Sequence, residues 1–291
     1  MQHPIVNRIV GTLGGIFRLR PYDRSDEAGR SKERYRRIAL ASSASVLSKC
    51  ISILTTLVSV PLTLNYLGAE RYGLWMTASS IIIVLGFSDL GMGYGLLNSI
   101  AEAYGKEDRN AAKESVSSAF YVLTAISVLI MAFFFILYPL VPWQTVFNVQ
   151  SIQAAGEAGP ALLVLMMLFA ANIPVAVVQR VQMGYQEGYI NDLYQVCGNL
   201  LALCGILIST NLELGLPWLI LSFVGAPLAV TWINYLVQFR VRMPWLRPRF
   251  DLVNLTLVRK ILSNGGMILF LTVLTMIGFQ TDILFISHFQ G

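Results

Sequence analysis

Lys49, Asp89 and Asp282 each interrupt a stretch that is otherwise apolar enough to cross a lipid bilayer. A charge at mid-bilayer costs about 2.5–3.5 kcal/mol on an insertion scale, so each requires an opposite charge, a water-filled cavity or a ligand. The chemistry open to such groups is recognition of charged cargo and exchange of ions. Around Lys49, the residues Ser42, Ser45, Ser52, Thr56, Ser59 and Thr63 recur at spacings of three and four, which makes one helix face polar along its length. Small hydroxyl residues also suit close helix packing. A hydrated lumen serves an ammonium near the bilayer centre better than a packed interface does, so Lys49, Ser45, Ser52 and Thr56 are candidate substrate contacts.

Asp89 opens the run Asp89-Leu90-Gly91-Met92-Gly93-Tyr94-Gly95 and shares a helix face with Ser79, Gly86 and Gly93. Alternate glycines weaken a helix and can free backbone carbonyls beside a carboxylate, as at cation sites of transporters. Two structural readings stand beside an ion-coupling role for Asp89, a hydrogen bond to a neighbouring helix and a pair with Lys49. Asp282 shares a face with Thr272 and Thr275, where burial would raise its pKa and suit it to proton exchange; an interhelical hydrogen bond is the competing use. Arg180, flanked by Gln179 and Gln182 at a span end, is a topology anchor or an entry contact for a phosphate, which a guanidinium holds well.

Other chemistry has little foothold. Cys50, Cys197 and Cys204 all fall within spans and lack metal-site spacing, and His3 and His288 stand far apart. No Gly-rich phosphate loop or nucleophile motif is present. The sequence predicts a protein that is not an enzyme and carries no cofactor beyond H+ or Na+ for coupling.

The elements that must position these residues are membrane helices. The chain of 291 residues is 55% hydrophobic and 13% charged, with a mean hydropathy of +0.63, outside the range of soluble domains. Apolar runs of about 20 residues predict seven spans, at 38–64, 73–99, 116–142, 160–182, 190–210, 215–238 and 264–287. Every Lys and Arg except Lys49 and Arg71 then falls on one side of the membrane. By the positive-inside rule that side is cytoplasmic, with the N-terminus on it and residue 291 outside. The net charge of +5 thus reflects topology and argues against nucleic-acid binding. Residues 1–37 read as a cytoplasmic arm, amphipathic over the first 20 residues and a solvated linker from Pro21. A six-helix lobe over 38–239, a basic linker over 240–263 and the first helix of a second lobe over 264–291 complete the parse. Pro174 and Pro227 mark kinks in spans 4 and 6.

The run Leu64-Asn65-Tyr66-Leu67-Gly68-Ala69-Glu70-Arg71-Tyr72-Gly73-Leu74-Trp75 resembles the first outer turn of polysaccharide-biosynthesis membrane proteins. These are the Wzx-type lipid-linked oligosaccharide flippases of the MOP superfamily, relatives of the MATE exporters. Phe87-Ser88-Asp89-Leu90-Gly91, Ala101-Glu102-Ala103-Tyr104-Gly105 and Thr281-Asp282-Ile283-Leu284-Phe285-Ile286-Ser287 are similar to further stretches of that family. The resemblance implies an all-α, MATE-like polytopic bundle in a bacterial inner membrane, of which the chain supplies the N-terminal six-helix lobe and one further helix. It implies alternating access that moves an undecaprenyl-pyrophosphate-linked glycan from the cytoplasmic to the periplasmic leaflet for O-antigen, capsule or exopolysaccharide synthesis. Lys49 would hold the anionic headgroup while the polar face of span 1 accommodates sugar hydroxyls. Implied partners are the bilayer, the lipid-linked glycan, and the polysaccharide polymerase with its chain-length machinery. A cation-coupled multidrug exporter of the MATE branch and a non-transporting scaffold for polysaccharide assembly are the alternatives.

Overall fold

A computed structural model describes residues 27–290, without the side chains of residues 27, 28, 30, 34, 83, 84 and 276–290. The expected amphipathic helix over the first 20 residues lies outside the described set. The described residues contain no β-strand, and six helices are long and apolar enough to cross a membrane. The expected all-α membrane bundle is therefore the observed architecture.

The first helix, α1, runs Glu27–Leu85 and is broken inside only at Gly68 (φ 75°, ψ 169°), so it holds the first two expected spans as two limbs. Its start is earlier than the span boundary at 38, inside the segment expected to be a solvated linker. Glu33 and Arg36 are buried there, at 2% and 4% exposure. The Glu33 carboxylate accepts from Arg36 at 2.7 Å and from Arg37 at 3.0 Å, pairings one helical turn apart that stabilise the helix.

The first limb lies in register along the helix α6, Gly188–Asn211. Arg37 donates to the Tyr185 carbonyl, Ser45 to Asp192, Ser48 to Gln195 and Tyr66 to the Leu214 carbonyl. Rising residue numbers on both sides of these contacts make the two helices parallel, as the predicted topology requires of spans 1 and 5. At the far end Arg71 makes a bidentate pair with Glu157, at 2.7 and 2.9 Å.

The second expected span, 73–99, is not continuous. Helix α1 passes into a 3-10 turn at Gly86–Asp89, then Leu90 (φ 51°) and Gly91 (φ 78°) take left-handed conformations before α2, Met92–Gly105, begins. Sparse helix propensity at the glycines weakens the ladder, and Asp89 caps the new helix. Beyond α3, Arg109–Leu137, the fourth span bends near Pro174. There α4, Ile152–Val175, yields to α5, Val177–Gly184. The sixth span begins as α7, Leu216–Ile220, widens to a π-helical stretch over Leu221–Gly225 and continues as α8, Ala226–Val237. Pro227, which cannot donate to the ladder, stands just past this widening. The last helix, α9, spans Leu255–Gln290 and meets α2 backbone to backbone, where Gly95 abuts the Ile261 carbonyl and Gly265 abuts Gly91.

Two apolar clusters hold the bundle. One gathers Leu96, Ile100, Val116, Val181, Phe239 and Ile261. The other gathers Leu74, Phe134, Leu162, Leu165, Ile206 and Ile220. Two cavities that between them share lining residues with both clusters are bordered by polar side chains.

Candidate functional site

The polar stripe of α1 divides between two surroundings. Ala44, Ser48, Thr55 and Ser59 are buried, whereas Ser42, Lys49 and Thr56 are exposed. Lys49 thus sits beside the packed face, not on it, and makes no ion pair with any described residue. Ser45 donates to Asp192 Oδ2 at 2.6 Å. Thr56 donates to the Ser52 carbonyl at 2.9 Å and Thr63 to the Ser59 carbonyl at 2.7 Å. These threonine hydroxyls spend their protons on their own helix, leaving only lone pairs for a ligand.

Asp89 and Arg180, distant in sequence, come together around Gly93. Asp89 accepts from the Gly91 N–H at 2.9 Å and the Gly93 N–H at 3.2 Å, satisfying donors that the start of α2 leaves unpaired. The Arg180 guanidinium lies 4.9 Å from the ring centre of Tyr94, a cation–π contact. A Cβ at position 93 would stand 2.9 Å from both Arg180 Nε and Asp89 Oδ2, so the closeness of the pair depends on glycine. Both side chains line a cavity of about 170 Å³ that Asn172 and Phe169 also border.

Asn172 and Phe169 also border a larger cavity, of about 500 Å³, whose lining contains no charged residue. Asn191, Gln195 and Asn199 reach it from α6 at intervals of four, hence from one helix face. Asn172 and Gln179 complete its amides, and Trp75 and Phe223 meet edge to face at its wall, 5.5 Å between ring centres. Ser79 Oγ and Asn199 Nδ2 are buried here with no hydrogen-bond partner. Each stranded donor costs about 1–3 kcal/mol.

Ion pairs and amide hydrogen bonds fasten the segments around Glu187 and Gln182. Glu187 pairs with Arg37 at 3.6 Å and with Arg242 at 3.0 Å. Arg242 donates to Gln238, and Gln182 bridges Asn234 and Gln238. Nearby, the hydrogen bond from Lys106, with help from Lys260, holds the Glu102 carboxyl below its ordinary pKa. Burial pushes the Tyr185 phenol up.

Of the expected site residues, the structure brings Asp89 and Arg180 to either side of Gly93 and places Lys49 and Thr56 on the outside of α1. Ser45 turns toward α6 and Ser52 is half-buried. The side chain of Asp282 lies outside the described residues. Sequence reasoning missed Asp192 and the amides of α6, although the spacing of Asn191, Gln195 and Asn199 is a legible one-face pattern.

No family model matches the sequence, and no curated protein matches it. Solved structures do. An outward-facing multidrug resistance MATE family transporter of the MOP superfamily superposes with a TM-score of 0.66 at 16% identity, over 78% of this chain and 50% of that one. The chain has the MATE transporter fold. A MATE solved in complex with MaD3S matches at 0.66 and 16% identity, over 79% of this chain and 52% of that one. A MOP superfamily transporter from Pyrococcus furiosus, described as having a binding pocket of reverse polarity that suggests a different function, matches at 0.64 and 16%, over 79% and 51%. The chain therefore spans about half the length of the MATE-fold proteins it matches. With six apolar helices in that fold, it is a multi-pass membrane protein.

Proposed function

We propose that this chain forms one lobe of a membrane transporter whose cargo is an anionic, lipid-linked oligosaccharide. The transporter carries an undecaprenyl-pyrophosphate-linked glycan from the cytoplasmic to the outer leaflet of a bacterial inner membrane by alternating access. The observation that carries this reading is Lys49. It is an unpaired ammonium within an apolar span, on the exposed side of α1, and the bilayer charges heavily for such a group unless an anion or water meets it. A pyrophosphate headgroup supplies that anion. Arg180, held over Tyr94, is a second cation within the lobe.

Export of cationic drugs draws less support. The larger cavity has no carboxylate in its lining, and both oxygens of Asp89 are engaged by backbone N–H groups. A cation needs an acidic partner that this cavity does not supply.

The test is expression of the full reading frame in a flippase-deficient strain, with surface polysaccharide and lipid-linked intermediates measured for the parent and for Lys49→Ala. Restored export by the parent, with intermediates accumulating in the variant, is the expected result. Export by Lys49→Ala at the parental rate removes the headgroup role of Lys49. Drug resistance conferred by the parent, without polysaccharide export, replaces the reading with that of an exporter.

A further inference from the structure

We infer that the cavity of about 500 Å³ is a saccharide subsite, in which the amide face of α6 and the aromatic wall around Trp75 hold one uncharged sugar ring of the cargo. This deepens the reading above and rests on it for the cargo being a glycan. It also moves sugar recognition from the outer stripe of α1, where the threonine protons are already committed, to the interior of the lobe.

The chemistry of the lining selects the ligand. A cation would find no carboxylate there and a pyrophosphate no cation, because Arg180 borders only the smaller neighbouring cavity. An acyl chain would strand the amides without partners. A pyranose answers both components of the lining. Its hydroxyls donate and accept as amides do, and its C–H faces suit aromatic walls. The volume lies within the about 300–1,000 Å³ usual for small-molecule sites.

Two residues of the cavity wall carry unpartnered donors. Ser79 Oγ from the second limb of α1 and Asn199 Nδ2 from α6 are buried at the cavity with nothing to bond. The Gln195 carbonyl oxygen accepts from Ser48 at 3.1 Å, which turns the Gln195 amide nitrogen away from that contact and leaves its protons for a ligand. Ser48 and Lys49 are adjacent residues on different sides of α1. One helix thus steadies the sugar-facing amide on its inner side and presents the ammonium on its outer side.

The experiment compares binding of two lipids to the purified full-length protein in nanodiscs. One is undecaprenyl pyrophosphate bearing a single N-acetylglucosamine or galactose, the other the bare lipid pyrophosphate. Tryptophan fluorescence reports binding, because Trp75 lines the cavity. The parent should prefer a sugar-bearing lipid by about tenfold or more, the worth of one well-made hydrogen bond. Asn199→Leu should abolish the preference while leaving bare-lipid affinity unchanged. Asn191→Leu, at a half-buried position with no hydrogen bond among the described residues, should do the same and covers the case in which the first variant fails to fold.

Equal affinity of the parent for bare and sugar-bearing lipids overturns the subsite, as does a preference that survives either folded variant. Displacement of the sugar-bearing lipid by tetraphenylphosphonium, lost in Asn199→Leu, overturns it in favour of a cation pocket. Sugar preference without export in the complementation assay refutes the transport reading and keeps the subsite. Export without sugar preference does the reverse.

Discussion

Lys49 and Arg180 are both cations in helices long and apolar enough to cross a membrane, yet the lobe treats them differently. Arg180 is built in. It lies over Tyr94, beside Asp89, with Gly93 making the space. Lys49 has been given nothing by the described residues, and the hydroxyls beside it bond elsewhere. A charge held over a ring and beside a carboxylate belongs to the architecture as much as to any ligand. A charge left open within an apolar span calls for water or an anion from outside the described residues.

The sharpest way to break this contrast is to remove each cation and read transport and stability together. Lys49→Ala should lower glycan export by about tenfold or more, the value of one charge-assisted contact, while its melting temperature stays at the parental value because nothing in the lobe leans on the ammonium. Loss of stability equal to that of Arg180→Ala would erase the distinction. Arg180→Ala should lower both, with a stability cost of about 0.5–2 kcal/mol from the lost cation–π contact, measured by denaturation in detergent.

A subtler change acts on the spacing alone. Asp89→Ala should cost about 1 kcal/mol through the lost cap on α2, and Asp89→Asn should recover much of it, since an amide oxygen still accepts. If Asp89 instead couples an ion, Asn would restore folding but leave transport insensitive to the ion gradient. Flux measured with and without a proton or sodium gradient separates the two.

The smallest effect is expected where Glu102 meets Lys106 and Lys260 at 2.7 and 3.3 Å in an exposed cluster. Its folded pKa is depressed, so whatever it contributes is present above the ordinary carboxylate pKa and fades as pH falls through the folded value. Lys106→Met should therefore differ slightly from the parent in melting temperature near neutral pH, and the difference should vanish in acid. A gap that widens in acid would contradict the sign.

Much of the fold was legible because bilayer crossing is a strong constraint on composition. The seven apolar runs and the asymmetry of basic residues predicted the bundle, and Pro174 and Pro227 fell where α4 and the sixth span depart from regular helix. The site was less legible. Spacing showed that span 1 has a polar face, but periodicity carries no information on which neighbour that face meets, and the packed side proved to lie around Ser48 and Ser59 instead of Lys49. Charges in spans attract notice through their transfer cost. The uncharged amides Asn191, Gln195 and Asn199 carry a smaller penalty, although they form the larger cavity's polar wall. The charge of Glu33 and Arg36 points to solvent, yet both are buried, and pairing within the helix makes that burial tolerable.

The contacts from Arg37–Tyr185 through Ser45–Asp192 and Ser48–Gln195 to Tyr66–Leu214 keep an almost constant sequence offset, 147 or 148 residues. Such a ladder makes the length of the first limb a fixed quantity. One residue inserted between Ser48 and Tyr66 would rotate everything beyond it by roughly 100°, carrying Tyr66 off its carbonyl and disturbing the turn that presents Arg71 to Glu157. Side chains along this limb are open to exchange, whereas its residue count is not, and a tag or epitope placed there would cost more than any single substitution.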